Sequence, residues 1–432
     1  MQAHQFLPVL LSVCAACAPA QSHVSLYGSL GLAVRYKTSA SPQGAHSWTV
    51  GPSPNAAGIW GVYGTEDLGD GMKAHFNLES GFYAETGTLA YSGLGWGRES
   101  MVGLTTPYGR VDLGRLQLQG TAAEPLLMAD PTRAGGSFAE TLWPGLYTGA
   151  RFNEALRYRA RVGPIFGSLF AAFDHQGAST RTAGRTLAAT LGYADGPLYA
   201  LAAYQTNHDK NDRLNEVFSV GGTYVLGSVT LHSAYLHARR EQGFMMGAVG
   251  EPLAVSALGL AANVPSVGGF STDFVLAGIT HRWRPALSVK AAWYAAESKG
   301  GTLISTDSGR QQTIYAVVEY ALSKRTFLEG AVDCNRWTGG WGGFWGSSAE
   351  SGVPAGGNPL RNGHDTRVNL AAGCVTSSDP GACVPSPGLP AVAGSHAGSA
   401  CTCRCLASPG RPETRSTALR AHVRPGRAAS TA

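Results

Sequence analysis

Residues 60–82 read WGVYGTEDLGDGMKAHFNLESGF, and the fold turns on this stretch. Two short alternating segments meet at an acidic, glycine-rich turn, Asp67-Leu68-Gly69-Asp70-Gly71, which is the pattern of a β-hairpin. In the second arm Met72, Ala74, Phe76 and Leu78 share one face, and Lys73, His75, Asn77 and Glu79 share the other. A soluble sandwich strand would set its polar face in bulk water. Here the alternation returns in short segments along the whole chain. The simplest common cause is a closed barrel with lipid outside and water inside.

About sixteen such segments are predicted, with ends good to a few residues. The first runs over 24–36, where Val24, Leu26, Leu30, Leu32 and Val34 alternate with more polar neighbours. The next are 57–67, 71–82, 97–106, 109–116, 151–161, 165–174 and 186–194. After them come 198–206, 215–225, 228–239, 270–283, 286–297, 312–322, 325–336 and 365–373. Short connections, such as Pro107-Tyr108-Gly109, Gly163-Pro164 and Arg284-Pro285, alternate with long ones near 37–56, 117–150, 240–269 and 337–364. Short turns on one rim and long loops on the other mark a membrane barrel, and an even strand number closes it without an exposed edge. The expected fold is all-β, a sixteen-stranded antiparallel transmembrane barrel.

Composition agrees. The 432 residues include 58 Gly, 16 Tyr and 9 Trp but only 14% charged residues, unlike a disordered chain. No run of about 18 apolar residues follows the N-terminus, so no helix is expected to span a bilayer. The net charge of +5 is uneven. Residues 374–432 hold Arg404, Arg411, Arg415, Arg420, Arg424 and Arg427 against Asp379 and Glu413, leaving the rest near neutral. A nucleic-acid partner therefore has no support. Residues 1–20 read as a secretory signal, apolar from Phe6 to Ala18 and ending in Ala18-Pro19-Ala20.

The hairpin at 60–82 resembles one in the trimeric general porins of Gram-negative bacteria. More of the resemblance lies in Arg98-Glu99-Ser100-Met101-Val102-Gly103-Leu104, in Tyr108-Gly109-Arg110-Val111-Asp112-Leu113-Gly114-Arg115, and in Tyr320-Ala321-Leu322-Ser323-Lys324-Arg325-Thr326. It covers about 22–373. It implies a homotrimer in the outer membrane, in contact with the lipid bilayer and lipopolysaccharide, that passes small hydrophilic solutes and ions. It also implies no cofactor and no bond chemistry. Loop 3, at 117–150, is expected to fold inward and set acids (Glu124, Asp130 and Glu140, with Arg133 among them) opposite a ladder of wall arginines. Motif matching gives Arg98 and Arg151 to that ladder. Alternation alone adds Arg35 and Lys73, and Arg115 is a weaker candidate at a strand end. Where the family has a wall arginine this chain has Ile59, which widens the eyelet, lessens its preference for anions, or both.

The tail departs from the family. Such porins end on an aromatic residue, whereas residues 374–432 contain no Phe, Tyr, Trp or Ile and do not alternate. With suitable synonymous codons, restoring one base after Gly373 reads Leu-Arg-His-Leu-Phe-stop. Residues 374–432 are therefore expected to be out-of-frame translation, giving 1–20 as signal, 21–373 as barrel and 374–432 as an unstructured tail. Other candidate sites are weaker. The twelve His form no H-x-x-x-H pair, so no metal is expected, and Cys401, Cys403 and Cys405 have no His or acid at ligand spacing. Asp209-Lys210-Asn211-Asp212 lacks the Gly and Glu of a calcium loop. The Gly339–Trp345 run is expected to be loop packing. Tyr36, Tyr63, Phe82, Tyr204, Trp283, Trp293 and Tyr320 are expected to form an aromatic girdle. A general diffusion porin is the first expectation. A channel of the same fold with a preferred solute and an assembly-defective product are the alternatives. An outer-membrane enzyme finds no Ser-His or Asp-His motif, and an adhesin barrel would lack the inward loop.

Overall fold

In a computed structural model the described residues are 23–40, 44–54, 58–91, 93–131, 145–173, 184–245, 266, 268–302, 305–341 and 365–378. All lie in the larger of two units, 1–402; the smaller, 403–432, lies outside them.

The hairpin forms where the sequence places it. Strands β3 (Gly58–Gly69) and β4 (Met72–Tyr83) pair antiparallel from Gly58↔Phe82 to Asp67↔Lys73. The turn needs left-handed backbone at three successive residues, φ +83° at Gly69, +51° at Asp70 and +75° at Gly71. Two are glycine, for which that region carries no Cβ penalty. Asp67 Oδ1 accepts from the Gly69 N–H at 3.0 Å and holds the bend.

The sheet is a single antiparallel ring. Strand β1 (His23–Lys37) pairs with β18 (Thr366–Ser377) from Ser29↔Ser377 to Lys37↔Asn369, and this pairing closes the barrel. Between them run β6 (Glu99–Thr106), β7 (Gly109–Gln117), β8 (Arg151–Val162), β9 (Ile165–Ala172), β10 (Thr186–Asp195) and β11 (Leu198–His208). The ring continues through β12 (Leu214–Leu226), β13 (Val229–Arg240), β14 (Phe270–Arg284), β15 (Leu287–Lys299), β16 (Gly309–Ala321) and β17 (Thr326–Gly339). Each expected segment matches one of these strands. Two short pieces were not expected. β2 (Ser47–Pro52) continues the pairing of β3 along β1, so β2 and β3 together make one wall strand, and β5 (Thr88–Leu89) is a spur on β4. Counted this way the wall has sixteen strands. β2 escaped the reading because its alternation is brief and Pro- and Gly-rich residues flank it. β18 runs on to Ser377, past the expected end at 373.

Closure leaves no unpaired edge, and every wall strand satisfies its backbone groups on its two neighbours, as hydrocarbon demands. The outer face is apolar, with Leu26 72% and Leu191 65% exposed, while inward neighbours such as Gln205 and Ser219 are buried. Of the expected girdle, Tyr36, Phe82, Tyr204, Trp283, Trp293 and Tyr320 lie in the outward phase. Tyr63 does not: it pairs with Asn77 and Ser25 on the inner face.

Candidate functional site

The described parts of the β7–β8 connection, 118–131 and 145–150, lie inside the barrel. Its first half contains a short helix, α1 (Glu124–Ala129), with Pro125 near its start, where a missing N–H costs nothing. The Ala122 N–H donates to Gln205 Oε1 of β11 (3.0 Å), and Ser219 Oγ of β12 donates to Ala122 O (2.6 Å). Farther along, His232 Nδ1 of β13 reaches Ala129 O at 2.9 Å, and the Tyr294 hydroxyl of β15 donates to Asp130 Oδ1 at 2.8 Å. The returning half contains α2 (Gly145–Thr148); Tyr147 O accepts from Asn215 Nδ2 (2.9 Å) and Thr148 O from Gln205 Nε2 (2.7 Å). Residues 118–131 and 145–150 thus form a strap along the inner wall, the expected inward loop.

The wall is shaped for the strap. Gly221 of β12 lies so close that an added Cβ would overlap Pro125 O, and one on Gly278 of β14 would come within 2.7 Å of Pro131 Cγ. Leu126, Ala129 and Tyr147 of the strap share an apolar cluster with Val217, Leu236, Phe274, Leu276 and Tyr294 of the wall. Burying Leu126 alone contributes about 2 kcal/mol. A water-filled lumen calls for polar inward residues. Under the strap the inner faces of β12–β15 carry apolar residues such as Val217, Leu236, Phe274 and Leu276 among the polar ones that bond it.

Opposite charges face each other where the strap leaves the wall. Asp112 of β7 is fully buried and receives Arg157 Nη2 (2.9 Å), Arg110 Nε (2.6 Å), Arg159 Nη2 (3.3 Å) and His75 Nε2 (2.9 Å). Arg157 also donates from Nη1 to Gln119 O (3.1 Å), tying the first residues of the strap to β8. Glu124 accepts the Gly120 N–H at 2.7 Å. Burial pushes its carboxyl up from the usual range, and the Gly120 N–H with the Arg159 and Arg157 charges pulls part of the way back. Three arginines on one acid leave this part of the wall positive toward the strap.

The expected site residues separate into groups. Arg98 and Arg151 do come together, but at the long-loop ends of their strands. Arg98 Nε donates to Glu79 Oε1 (2.6 Å), Gln117 Nε2 shares that oxygen (3.0 Å), and the Arg151 guanidinium lies 5.7 Å from the Tyr91 ring centre. Arg35 is buried on the inner face of β1 beside Gly51. Lys73 faces inward one residue from the short turn, at the mouth of the barrel. Glu124 and Asp130 sit on the strap; Arg133 and Glu140 lie outside the described residues. Arg115 falls at a bulge between Gly114 and Leu116 and donates from Nε to Gly97 O (2.8 Å). Ile59 is buried and faces inward opposite Ser29 and Gly81. The arginines that act on Glu124, Arg157 and Arg159, were missed, as were Arg110, Asp112 and Glu99, whose Oε1 lies 4.0 Å from Arg157 Nη2. Their signal was present, since Arg157, Arg159 and Arg161 recur every second residue in β8. Asp209 is buried and organises a turn, accepting from the Asn211, Arg213 and Met245 N–H groups.

Comparison with known proteins gives the same picture. A family model described as Gram-negative porin matches residues 9–338. An outer membrane porin protein of Bordetella pertussis is 29% identical over 296 residues, 62% of this chain and 74% of that one. Outer membrane porin protein 32 of Delftia acidovorans is 27% identical over 283 residues, 60% of this chain and 76% of that one. Among solved structures, the anion-selective porin from Comamonas acidovorans superposes with a TM-score of 0.65 at 20% identity, covering 83% of this chain and 100% of that one.

Proposed function

The chain belongs to the Gram-negative porin family, and from that premise we propose that it is a general diffusion channel of the outer membrane with a preference for anions. The observation that carries this is the strap pinned along the inner wall of the barrel, where it narrows the passage. Between the Arg110–Arg157–Arg159 group of the wall and the acids of the strap runs a transverse field. Such a field orients dipolar solutes and turns away apolar ones. Inward cations outnumber inward acids along β7 and β8 even with Ile59 in place of an arginine, and the solved relative named anion-selective fits that sign. The protein is read as a homotrimer that carries out no bond chemistry and needs no cofactor, exported by the signal at 1–20. Lipopolysaccharide would meet the long-loop rim, where outward pairs Arg310–Glu297 (2.9 Å) and Arg336–Asp365 (2.9 Å) offer both charges.

The tail at 374–432 is read as out-of-frame translation. β18 extends over 374–377, so the five residues of the restored ending would continue the strand through positions 374–378, with its Phe in the outward phase. Liposome swelling with sugars of graded size tests the function. The rate should fall smoothly with solute size and rise linearly with concentration. Saturation with one sugar would favour the second reading, a channel with a preferred solute, to which the Ile59 position points.

A further inference from the structure

The channel makes no use of the turn between β16 and β17, which carries Leu322-Ser323-Lys324-Arg325. Its backbone is closed on itself. The Leu322 and Ser323 N–H groups donate to Thr326 O (2.9 and 3.0 Å), and Ser323 Oγ accepts from the Arg325 and Thr326 N–H groups (3.1 and 3.0 Å). The turn is keyed to its neighbours as well, since Ser377 donates to Arg325 O (3.0 Å) and Ala321 to Ala286 O (2.8 Å). The Lys324 and Arg325 side chains have no part in these bonds, and both are exposed. The adjacent β14–β15 turn adds Arg284, also exposed and paired past a bulge with the outward-phase Leu287, while Arg282 shares the inward phase of Thr280 and Ser288. Among the described residues none of Arg284, Lys324 and Arg325 pairs with an acid. The nearest acid in sequence, Glu319, faces inward and holds Lys290 at 2.6 Å. Elsewhere on the same rim the β3–β4 turn is acidic, with Glu66, Asp67 and Asp70. That turn sets Lys73 among its acids, and Arg161 at the β8–β9 turn is held by the Gly163 and Ala194 carbonyls, so Arg284, Lys324 and Arg325 stand out on this rim as exposed cations on two adjacent turns.

On the outer face beside that sector stand Trp283, 68% exposed, Leu322, 57%, and Tyr320, 50%, with His281 against the Trp283 ring at 5.9 Å. Aromatic rings that end in unpaired cations match a bilayer interface, with rings at the acyl boundary and cations at the phosphates. The short-turn rim of such a barrel faces the periplasm, so the lipid it meets is the phospholipid of the inner leaflet. We propose that Arg284, Lys324 and Arg325 form a binding site for the headgroup of an anionic phospholipid, phosphatidylglycerol or cardiolipin. The carboxylates of peptidoglycan are the less favoured partner, because the aromatic residues flank the cations on the lipid side. The site stands apart from the channel reading and depends only on which rim faces the periplasm.

Native mass spectrometry of the full-length protein, offered equal phosphatidylglycerol and phosphatidylethanolamine, tests this. One cation at an anionic surface typically strengthens binding about fivefold. Wild type should hold phosphatidylglycerol over phosphatidylethanolamine by at least about tenfold, and the Arg284→Gln/Lys324→Gln/Arg325→Gln variant by less than about twofold. The Arg284→Gln variant and the Lys324→Gln/Arg325→Gln variant, one per turn, should fall between and serve if the triple variant does not fold. Equal retention of both lipids by wild type, or an undiminished preference in folded variants, overturns the proposal. Charge-dependent binding to purified peptidoglycan without lipid preference would also overturn it, in favour of that polymer.

Discussion

Placing an alanine at Gly221 should unseat the strap while leaving the barrel intact. Gly221 faces inward from β12 directly beneath α1, and a Cβ there would overlap Pro125 O, with Ala129 Cβ 3.2 Å away. The obstacle is a backbone carbonyl, which cannot swing aside as a side chain would. Normal contact returns only if α1 lifts from the wall by roughly 1 Å. Overpacking of this kind costs about 1–3 kcal/mol. The Ser219–Ala122 and His232–Ala129 hydrogen bonds weaken as well, at about 1 kcal/mol each. A total of about 3 kcal/mol changes the ratio of seated to displaced strap by more than about a hundredfold. The ladders from β12 to β11 and β13 run through backbone atoms and are untouched. Single-channel recording is the assay, with heat-modifiable electrophoresis to confirm the barrel. Gly221→Ala should give a folded barrel with changed mean conductance and greater open-channel noise, and Gly221→Val more of both. A folded Gly221→Val barrel with wild-type conductance and noise would refute the placement of α1 on β12.

Tyr294→Phe removes one charge-assisted bond to Asp130, worth about 1.5–3 kcal/mol, and should speed proteolysis within the strap while leaving barrel melting nearly unchanged. Arg157→Gln leaves Asp112 to Arg110 and Arg159 and frees Gln119. The reversal potential under a salt gradient should move toward the cation side, and the melting temperature should fall by several degrees. The raised carboxyl of Glu124 favours the protonated form in the seated strap, so its contribution to seating is present at low pH and lost as pH rises through the raised value. Anion preference should therefore grow as pH falls from about 7 to about 5, and this component should be missing in Glu124→Gln. Ending the chain at Gly373 followed by Leu-Arg-His-Leu-Phe should raise the yield of folded barrel in outer-membrane fractions; an unchanged yield would count against the frameshift reading.

Much of the fold could be read in the sequence because a barrel wall repeats one constraint. Each strand alternates lipid-facing with inward residues, and hairpins such as 60–82 fix where strands begin and end. β2 was lost because a few alternating residues among Gly and Pro carry too little of that signal. The strap was legible as a long loop with acids, but the seat it occupies was not. That seat depends on inward apolar residues such as Leu236, Phe274 and Leu276 set among the polar ones of β12–β15, which alternation alone reads as a weak strand. The charged site was half legible. Motif strings pointed to Arg98 and Arg151, which pack with Glu79 near the loop rim. The arginines nearest Glu124 lie in β8, outside every motif, and only the register Asp112↔Arg157 brings them together.

The most direct test of the whole account is single-channel recording of the purified protein in a planar bilayer under a salt gradient. An open lumen narrowed by a strap and bordered by Arg110, Arg157 and Arg159 predicts ohmic conductance steps with a reversal potential on the anion side. A trimer predicts that those steps come in threes. A folded, membrane-inserted barrel that stays silent would contradict the channel, and a reversal potential on the cation side would contradict the assignment of the wall arginines.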